Sequence, residues 1–485
     1  MKNLLSSVVR VATKLGSLVG VACLVAAGMA VATSSVASAT AVWSDPTAQV
    51  GTPGGAGIFN GISCTGEGDC TAAGFDVNGQ GMAATESAGV WSSVTEVPGP
   101  SGGYFHAVSC SSPGNCVAVG NGGVSGEPIV ATESHGMWGS AVGLPGSPGG
   151  FGYFYGVSCT AQGNCTAVGG DGNFQGLVDS EVAGVWGTPT QLTSPPNGFF
   201  DAVSCTAQGS CTAVGADGAQ HPIAATEAGG TWGTVAEVDS GGDSGAYDGV
   251  SCTDGGDCVA VGGDGNHQPI VANESGGSWG SPVELTGAQS GTGVLQSVSC
   301  PSADNCTAVG AASLTGGNEQ PITAAESMGI WSGATVPGSG SEIGQFYGVS
   351  CTGVGICTAA GSNYSQPTTA TSGQFAIATS TLPPASVGVP YGPVSLQAIN
   401  AGVSSPPYVT SLKWGKVKGS GSSPGVPKGM KLSSSGVLSG TPNRHLTPMT
   451  YSVAVEVTES VTVVAGGSKS VAKETVEATI PLAIG

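Results

Sequence analysis

The chain has 485 residues, of which 9% are charged and 85 are glycine, and its formal net charge at pH 7 is −20. No lysine or arginine lies between Lys14 and Lys413, and residues 42–375 carry 27 acidic side chains. This charge excludes nucleic acid as a partner, because nucleic-acid binding requires cations that neutralise phosphates. Anionic lipids, sulfated glycans and sialic acids are disfavoured for the same electrostatic reason.

Residues 1–41 have the composition of a secretory signal peptide. Lys2, Arg10 and Lys14 precede an apolar run over residues 15–32, and small-residue cleavage sites follow at 37–39 and 39–41. The apolar run is near the length that crosses a bilayer, so cleavage and retention as a membrane anchor both stay open. We expect a secreted or cell-surface protein whose only membrane attachment would be an uncleaved signal.

Residues 42–375 contain seven copies of one unit, each marked by two cysteines six residues apart. The pairs are Cys64/Cys70, Cys110/Cys116, Cys159/Cys165, Cys205/Cys211, Cys252/Cys258, Cys300/Cys306 and Cys351/Cys357. Tryptophans recur with the same period, at 43, 91, 138, 186, 232, 279 and 331. A period of 46 to 52 residues with about four short strands predicts a seven-bladed β-propeller. The first unit opens at Trp43 and the seventh ends at Phe375, so an N-terminal strand is expected to complete the last blade.

The cysteines of each pair flank a five-residue loop rich in Gly, Asn, Asp and Ser, as in "VSCTAQGNCTAVG". Strand-like segments on both sides predict a hairpin, across which facing cysteines have the separation of a disulfide. A zinc site would need further ligands, and a redox couple is typically C-x-x-C. We therefore predict seven structural disulfides, no metal site and no cofactor. The "GDGN" turns at Asp171 and Asp264 are predicted to be tight hairpin turns, since no D-x-D-x-D spacing accompanies them.

The segment before each tryptophan resembles the Asp-box turn of sialidase-like (BNR-type) propellers. The matching turns are "TESAGVW" (85–91), "TESHGMW" (132–138), "TEAGGTW" (226–232), "NESGGSW" (273–279) and "AESMGIW" (325–331). The resemblance implies that their glutamates tie the turn together: Glu86, Glu133, Glu227, Glu274 and Glu326. Sialidases grip their substrate with arginines, and residues 42–375 contain no arginine, so sialidase activity is not expected.

Residues 376–485 lack the cysteine repeat. The segments "LPPASVGVPYG" (382–392), "GMKLSSSGVLSGTP" (429–442) and "YSVAVEVTES" (451–460) resemble bacterial Ig-like, cadherin-like domains. The resemblance implies a β-sandwich over 376–485. Cadherin calcium sites need clustered acidic residues and this segment has no aspartate, so calcium is not expected. Trp414 is predicted to pack within the sandwich, and the lysines at 413, 416 and 418 to form a solvated face. The predicted fold class is thus all-β: a seven-bladed β-propeller with one hairpin disulfide per blade, plus a C-terminal Ig-like β-sandwich.

One polar, variable position per unit precedes the small residue of the predicted innermost strand. These candidate ligand-binding residues are Asn60, His106, Tyr155, Asp201, Asp248, Gln296 and Tyr347. The next residue is small in every unit, as crowding near a propeller axis would require: Gly61, Ala107, Gly156, Ala202, Gly249, Ser297 and Gly348. The residue before is Phe59, Phe105, Phe154, Phe200, Tyr247, Leu295 or Phe346, and we expect these side chains to pack between blades.

The preferred function is non-catalytic binding or adhesion at the cell envelope, with a neutral glycan or a protein as partner, by a monomer. The competing hypothesis is an extracellular carbohydrate-active hydrolase using two funnel carboxylates, drawn from Asp201, Asp248, Asp239 and Asp243. A purely structural envelope component is the third. The nearly cation-free surface also suggests life in acid, and predicts a fold that persists at pH 2.5.

Overall fold

The computed structural model describes residues 42–485 except for 101–102, 123–125, 193–196, 239–243, 254–256, 287–291, 315–316, 328, 338–342, 374–375, 378–381, 397, 400–407, 417–425 and 466–467. The predicted signal, Phe375, Lys418, Asp239 and Asp243 lie outside the described residues. No helix in the described part is long and apolar enough to cross a membrane. Two single-turn 3-10 helices cover Pro53–Gly55 and Pro148–Gly150.

Seven antiparallel sheets follow one another along the chain after two short strands, β1 (Val42–Trp43) and β2 (Thr47–Ala48). Blade 1 contains β3 (Gly57–Gly66), β4 (Asp69–Asp76), β5 (Gly81–Ser87), β6 (Val90–Trp91) and β7 (Thr95–Glu96). Blade 2 contains β8 (Tyr104–Ser112), β9 (Asn115–Gly122), β10 (Glu127–Ser134), β11 (Met137–Trp138) and β12 (Val142–Gly143). Blade 3 contains β13 (Gly152–Ala161), β14 (Asn164–Asp171), β15 (Gly176–Val182), β16 (Val185–Trp186) and β17 (Thr190–Leu192).

The next four blades repeat this arrangement. Blade 4 contains β18 (Gly198–Ala207), β19 (Ser210–Asp217), β20 (Pro222–Ala228), β21 (Thr231–Trp232) and β22 (Ala236–Glu237). Blade 5 contains β23 (Gly245–Cys252), β24 (Cys258–Asp264), β25 (Pro269–Ser275), β26 (Ser278–Trp279) and β27 (Val283–Glu284). Blade 6 contains β28 (Gly293–Ser302), β29 (Asn305–Ser313), β30 (Glu319–Ser327) and β31 (Ile330–Trp331), and blade 7 contains β32 (Gln345–Gly353), β33 (Ile356–Ser362) and β34 (Pro367–Gly373).

Blade 7 is completed by the N-terminal strands. β1 and β2 both pair with β34, with Trp43 opposite Ser372 and Thr47 opposite Thr369. Trp43 is 7% exposed, and its ring lies 6.1 Å from that of Phe346. This pairing confirms the expected closure and covers the sheet edge that β34 would otherwise present to solvent.

The first strand of each blade contacts the first strands of both neighbouring blades, so these strands line the axis. The small residues predicted for this position let neighbouring backbones meet. A Cβ on Gly61 would lie 3.0 Å from Ala107 Cα, and one on Gly249 would lie 2.9 Å from Ser297 Cα. The large residues two positions earlier are fully buried and pack against the preceding blade, as Phe105 does against Ala73 and Ala83.

Each blade carries the predicted disulfide, and all seven Cα–Cα distances are 4.0 or 4.1 Å. The serine before the first cysteine joins each blade to the next. Its Oγ accepts a hydrogen bond of 2.9–3.0 Å from the backbone N–H of the first cysteine in the next blade. The seven serines are Ser63, Ser109, Ser158, Ser204, Ser251, Ser299 and Ser350, and the bond from Cys64 N to Ser350 Oγ closes the ring. This ring was not predicted.

The two cysteines of each disulfide differ in exposure, a difference that the sequence did not predict. The first cysteine is partly exposed, whereas the second is buried at 2–4% exposure. The seven buried cysteines are Cys70, Cys116, Cys165, Cys211, Cys258, Cys306 and Cys357.

Each buried cysteine belongs to the apolar packing between blades in addition to its bridge. Cys70, Cys116, Cys165 and Cys306, for example, each lie in a separate hydrophobic cluster of the ring. Threonine hydroxyls of the preceding blade also reach these sulfurs, since Thr71 Oγ1 lies 3.6 Å from Cys116 Sγ. The cysteines therefore contribute to packing between blades in addition to forming the predicted hairpin disulfides.

The first and second strands of every blade share a β-bulge. The register skips one residue between Phe200 and Ala202, and at the equivalent position of the other six blades. The glycine of "C-x-A-[VA]-G" lies opposite. A Cβ on Gly215 would overlap the carbonyl oxygen of Phe199 and lie 2.8 Å from Phe200 Cα. The repeated glycine is therefore a requirement of the bulge.

We expect Gly215→Ala to destabilise the propeller by about 1–3 kcal/mol or more, because its new methyl group would overlap backbone that cannot move without breaking the bulge. Urea unfolding followed by tryptophan fluorescence measures the change. Gly280→Ala is the matched control, since its Cβ would meet only Asn273 O, at 3.5 Å. Equal stability of the two variants would contradict the role assigned to the glycine.

The segment after blade 7 forms three small sheets. The strands are β35 (Ala376–Ile377), β36 (Tyr391–Ser395), β37 (Ala398–Ile399), β38 (Tyr408–Lys416), β39 (Met430–Leu432), β40 (Val437–Gly440), β41 (Met449–Ala465) and β42 (Ser468–Ile484). The sheet orders are β35-β37, β36-β40-β39 and β38-β41-β42. One apolar cluster, which includes Leu438, Val453 and Leu482, joins the second and third of these sheets. Trp414 belongs to it at 5% exposure, whereas Lys413 and Lys416 are exposed, as predicted. The Ig-like assignment itself stays a prediction.

Candidate functional site

The seven bulges direct one side chain each into a common cavity on the propeller axis. Its volume is about 290 Å³, and the neighbouring small residues and valines complete its wall. The bulge residues are Asn60, His106, Tyr155, Asp201, Asp248, Gln296 and Tyr347, which is the complete set predicted from sequence. A bulge residue has no partner in the ladder, so its side chain is free to vary from blade to blade without weakening the sheet. That these residues bind a ligand stays a prediction.

One side of the cavity is aromatic. The ring of Tyr155 lies 4.9 Å from that of His106, edge to face, and 4.6 Å from that of Tyr153. His106 Nε2 lies 2.7 Å from Asn121 Oδ1, an arrangement in which the imidazole donates. Burial lowers the pKa of His106, which keeps this ring neutral at pH 7. Asn60 is fixed by a hydrogen bond of 2.8 Å from its Nδ2 to the carbonyl oxygen of Phe105.

The other side carries two carboxyl groups from adjacent blades. Burial raises the pKa of Asp248 to about 7. Burial and the neighbouring charge of Asp248 raise the pKa of Asp201 well above its usual value. Burial and the repulsion between the two charges therefore favour a retained proton on the pair, which can then present both a donor and an acceptor to the cavity.

The two tyrosines of the ring remain protonated over the physiological range. Burial, followed by the charge of Asp201, raises the pKa of Tyr155. Burial raises the pKa of Tyr347 to about 12, with further contributions from Glu319 and Tyr364. The cavity thus offers neutral hydroxyl, amide and carboxylic acid groups. The described residues place no lysine or arginine in its wall.

The fourteen predicted disulfide cysteines stand apart from this cavity, and none of them is among the described residues of its wall. The first cysteines of the pairs are Cys64, Cys110, Cys159, Cys205, Cys252, Cys300 and Cys351, each three residues beyond the small residue that faces the axis. Their partners are buried further out in the blades, as Cys70, Cys116, Cys165 and Cys306 show at 2–4% exposure. The cysteines therefore serve the scaffold and offer no group to a ligand on the axis.

The glutamates of the outer turns are not ligand groups of this cavity, and they are deeply buried. Glu86, Glu133, Glu181, Glu227, Glu274 and Glu326 are 2–6% exposed, and each has at least one carboxylate oxygen without a hydrogen-bond partner among the described residues. Burial raises the pKa of all six. Glu181 was missed from sequence, because its turn, "SEVAGVW" (180–186), departs from the motif.

Other side chains tie the outer turns. Asp69 Oδ1 accepts from Ala88 N at 3.1 Å, and Asn164 Oδ1 accepts from Ala183 N at 3.2 Å. Both acceptors stand one residue before the second cysteine of their blade. This position therefore ties the turn in these two blades, and the role that the Asp-box resemblance implies for the glutamates stays a prediction.

No family model matches the chain, and no curated protein matches it. Among solved structures, a point mutant of the Aleuria aurantia lectin in complex with Fucα1-6GlcNAc is 14% identical with a TM-score of 0.39, covering 58% of this chain and 96% of the lectin. The WD40 propeller domain of Doa1 is 11% identical with a TM-score of 0.42, covering 68% and 97%.

A protein of unknown function from Dyadobacter fermentans is 10% identical with a TM-score of 0.42, covering 69% of this chain and 98% of that protein. These TM-scores are below 0.5, so the likenesses bear on no question of ligand or activity. The seven blades described above establish the β-propeller.

Proposed function

We propose that the propeller is a non-catalytic binding module whose axial cavity takes a neutral saccharide. The observation that carries this proposal is the convergence of seven variable bulge residues on one cavity, within a ring whose repeated residues serve packing. A binding site is where such variation is expected, because the scaffold tolerates it there.

The chemistry of the cavity fits an uncharged polyhydroxylated ligand. Amides at Asn60 and Gln296 and the Asp201–Asp248 pair can donate to and accept from hydroxyl groups. The aromatic side around Tyr155 supplies an apolar surface for the C–H face of a sugar ring. A strongly anionic ligand would find no cation here, and the 27 acidic residues of 42–375 would repel it.

A binding module of this kind would act outside the cytoplasm. Seven disulfides are expected in an oxidising compartment. With residues 1–41 as a secretory signal, 42–375 would be the exported propeller and 376–485 an Ig-like spacer that holds it away from its attachment point. Binding or adhesion at the cell envelope is then the role of the whole chain.

The test is a glycan array with the purified protein at pH 4 and pH 7, with and without calcium. We expect binding to neutral glycans, and we expect Tyr155→Ala and Gln296→Ala each to weaken it at least about tenfold, as loss of a buried contact of about 1.4 kcal/mol would. Met137→Ala is the control, because Met137 is 73% exposed on an outer turn. Failure of the wild-type protein to bind any neutral glycan, or unchanged binding by Tyr155→Ala, would contradict the proposal.

A hydrolase remains the second candidate because of one observation, the Asp201–Asp248 pair. Two neighbouring carboxyl groups, both with a raised pKa, could supply the acid and the base that glycoside hydrolysis uses. Incubation with neutral polysaccharides, followed by measurement of released reducing ends, separates the candidates. Turnover that Asp201→Asn or Asp248→Asn abolishes, and Asp257→Asn does not, would establish the enzyme in place of the binding module. We expect no turnover from any of these proteins.

A further inference from the structure

Blade 4 departs from three other blades in the turn that follows its second strand. In blades 1, 3 and 5 this turn reads "DVNGQ" (76–80), "DGNFQ" (171–175) and "DGNHQ" (264–268). In blade 4 it reads "DGAQH" (217–221), so the asparagine is replaced by Ala219 and the last glutamine by His221. These two differences change which groups lie next to the carboxylate of the aspartate.

In all four turns the aspartate Oδ1 binds backbone N–H groups in the same way. Asp217 Oδ1 accepts from Ala219 N and from His221 N, both at 2.8 Å. In the other three turns the asparagine side chain then reaches the second oxygen: Asn78 Nδ2 lies 3.1 Å from Asp76 Oδ2, Asn173 Nδ2 lies 3.5 Å from Asp171 Oδ2, and Asn266 Nδ2 lies 3.4 Å from Asp264 Oδ2. Ala219 has no such donor.

In blade 4, Asp217 Oδ2 therefore faces a different group. The side chain of Asp217 has no exposed surface, and Oδ2 has no hydrogen-bond partner among the described residues. His221 Nδ1 lies 3.4 Å from Asp217 Oδ2 and 3.9 Å from Glu237 Oε1, and it also lacks a hydrogen-bond partner in the described part of the chain. Glu237 is brought to the turn because β22 pairs with β20, which places Glu237 opposite Ile223. One ligand atom from each of Asp217, His221 and Glu237 lies within 4.8 Å of the others.

We propose that Asp217, His221 and Glu237 bind a divalent transition-metal ion of the Zn²⁺ class. Ligand atoms about 2.0–2.1 Å from a tetrahedral ion are separated from one another by about 3.3 Å. The two measured separations, 3.4 and 3.9 Å, are close to this value and too long or too poorly aligned for direct hydrogen bonds. An ion at the centre would satisfy both orphaned atoms at once.

The donor set selects the class of metal. One imidazole nitrogen with two carboxylates suits zinc and neighbouring first-row ions, whereas Ca²⁺ prefers an all-oxygen site with six to eight ligands. Two carboxylates balance the charge of a divalent ion. Asp217 is oriented by its two backbone bonds, while Glu237 is 58% exposed and can close over the ion from solvent. Three protein ligands leave the fourth position for water or an incoming donor atom.

The alternative is a protonated His221 that forms ion pairs with the two carboxylates and needs no metal. Titration of the purified, chelator-treated protein with Zn²⁺ by calorimetry distinguishes the two. We expect one Zn²⁺ per chain at this site, and binding at least about tenfold weaker in His221→Gln, which installs the residue of the other three turns. Ala219→Asn is the second variant, since its amide would restore the donor to Asp217 Oδ2 and compete with the metal.

The controls exclude binding by surface acids. His221→Gln keeps every carboxylate, and His135→Gln removes a histidine on an outer turn of blade 2, so the second should bind Zn²⁺ as the wild-type protein does. Near-UV circular dichroism checks that each variant is folded. Absence of stoichiometric Zn²⁺ binding by the wild-type protein, or equal binding by His221→Gln, would overturn the proposal. Tighter binding of Ca²⁺ than of Zn²⁺ at this site would do so as well.

Discussion

Lowering the pH from 7 to 4 is expected to stabilise the propeller, and to raise its melting temperature by about 5 °C or more. The physical reason lies in nine carboxyl groups whose pKa burial raises, seven of them buried and two half-buried in the wall of the axial cavity. They are Glu86, Glu133, Glu181, Glu227, Glu274, Glu326, Asp179, Asp201 and Asp248. Among them, the pKa of Asp179 rises to about 6 and that of Asp248 to about 7.

The direction follows from proton uptake. In the unfolded chain these groups titrate near 3.8 for Asp and 4.5 for Glu, and in the folded chain at higher pH. Between the two values the folded state binds more protons, so its stability increases as the pH falls. This stabilisation is complete below the unfolded pKa values and is lost as the pH rises through the folded ones, up to about 7 for Asp248.

We expect ordinary acid denaturation of this propeller to be weak for a second reason. With the carboxylates protonated, the remaining charges of residues 42–375 are the histidines at 106, 135, 221 and 267, because this segment has no lysine or arginine. Repulsion between cations, which unfolds many proteins in acid, is therefore small. The absence of lysine and arginine from residues 42–375 already predicts that the fold persists at pH 2.5. The carboxyl groups with raised pKa add a structural reason for the same prediction.

Differential scanning calorimetry at pH 7, 5.5, 4 and 2.5 measures the effect. Asp179→Asn provides the internal check, since one oxygen of Asp179 is buried without a hydrogen-bond partner among the described residues and the amide carries no charge. This variant should melt higher than the wild-type protein at pH 7 and show a smaller rise toward pH 4. Glu96→Gln, at an exposed position of β7, should change neither quantity. A melting temperature that falls steadily from pH 7 to 4 would refute the argument.

The blade architecture could be predicted because its signals are local and repeated. The cysteine spacing marks one hairpin, the tryptophan period marks the blade, and the small residue after each variable position marks the axis. The seven residues that line the axial cavity, from Asn60 to Tyr347, were predicted in this way. The β-bulge that turns each of their side chains toward the axis was not predicted. A bulge depends on how two strands align, and a glycine that requires it, such as Gly215, does not stand out in a chain with 85 glycines.

What was missed depends on residues far apart in sequence. The serine of V-S-C repeats in six of the seven units and as I-S-C in the first. Its partner, however, is the cysteine N–H of the next blade, 47 to 52 residues away, or of the first blade for Ser350. Glu237 joins Asp217 and His221 only through the pairing of β22 with β20. Asp69, which ties the outer turn of blade 1, was missed because it lies 19 residues before Ala88, the turn residue whose N–H it accepts.

Complete reduction of the disulfides is expected to unfold the propeller at room temperature or to lower its melting temperature by tens of degrees. A bridge between residues six apart stabilises by about 2 kcal/mol through the entropy of the unfolded chain, and seven independent bridges would give about 14 kcal/mol. A typical domain is stable by only about 5–15 kcal/mol. The first cysteine of each pair is partly exposed and the second is buried, so a small reductant has access to every bridge.

Removal of a single disulfide should destabilise the propeller far less than reduction of all seven. The double substitution of Cys205 and Cys211 by alanine is expected to cost at least about 2 kcal/mol and a few degrees of melting temperature. The bridge is lost together with the packing of the buried Cys211 sulfur, whereas the bulge, the serine ring and the other six bridges remain. Calorimetry with and without a phosphine reductant measures both changes, and peptide mapping under non-reducing conditions verifies the pairing. A fully reduced protein with an unchanged melting temperature would show that the ring does not depend on its disulfides. In that case the serine hydrogen bonds would be the main polar contacts between blades. Ser204→Ala would then lower the stability more than the double substitution of Cys205 and Cys211 does.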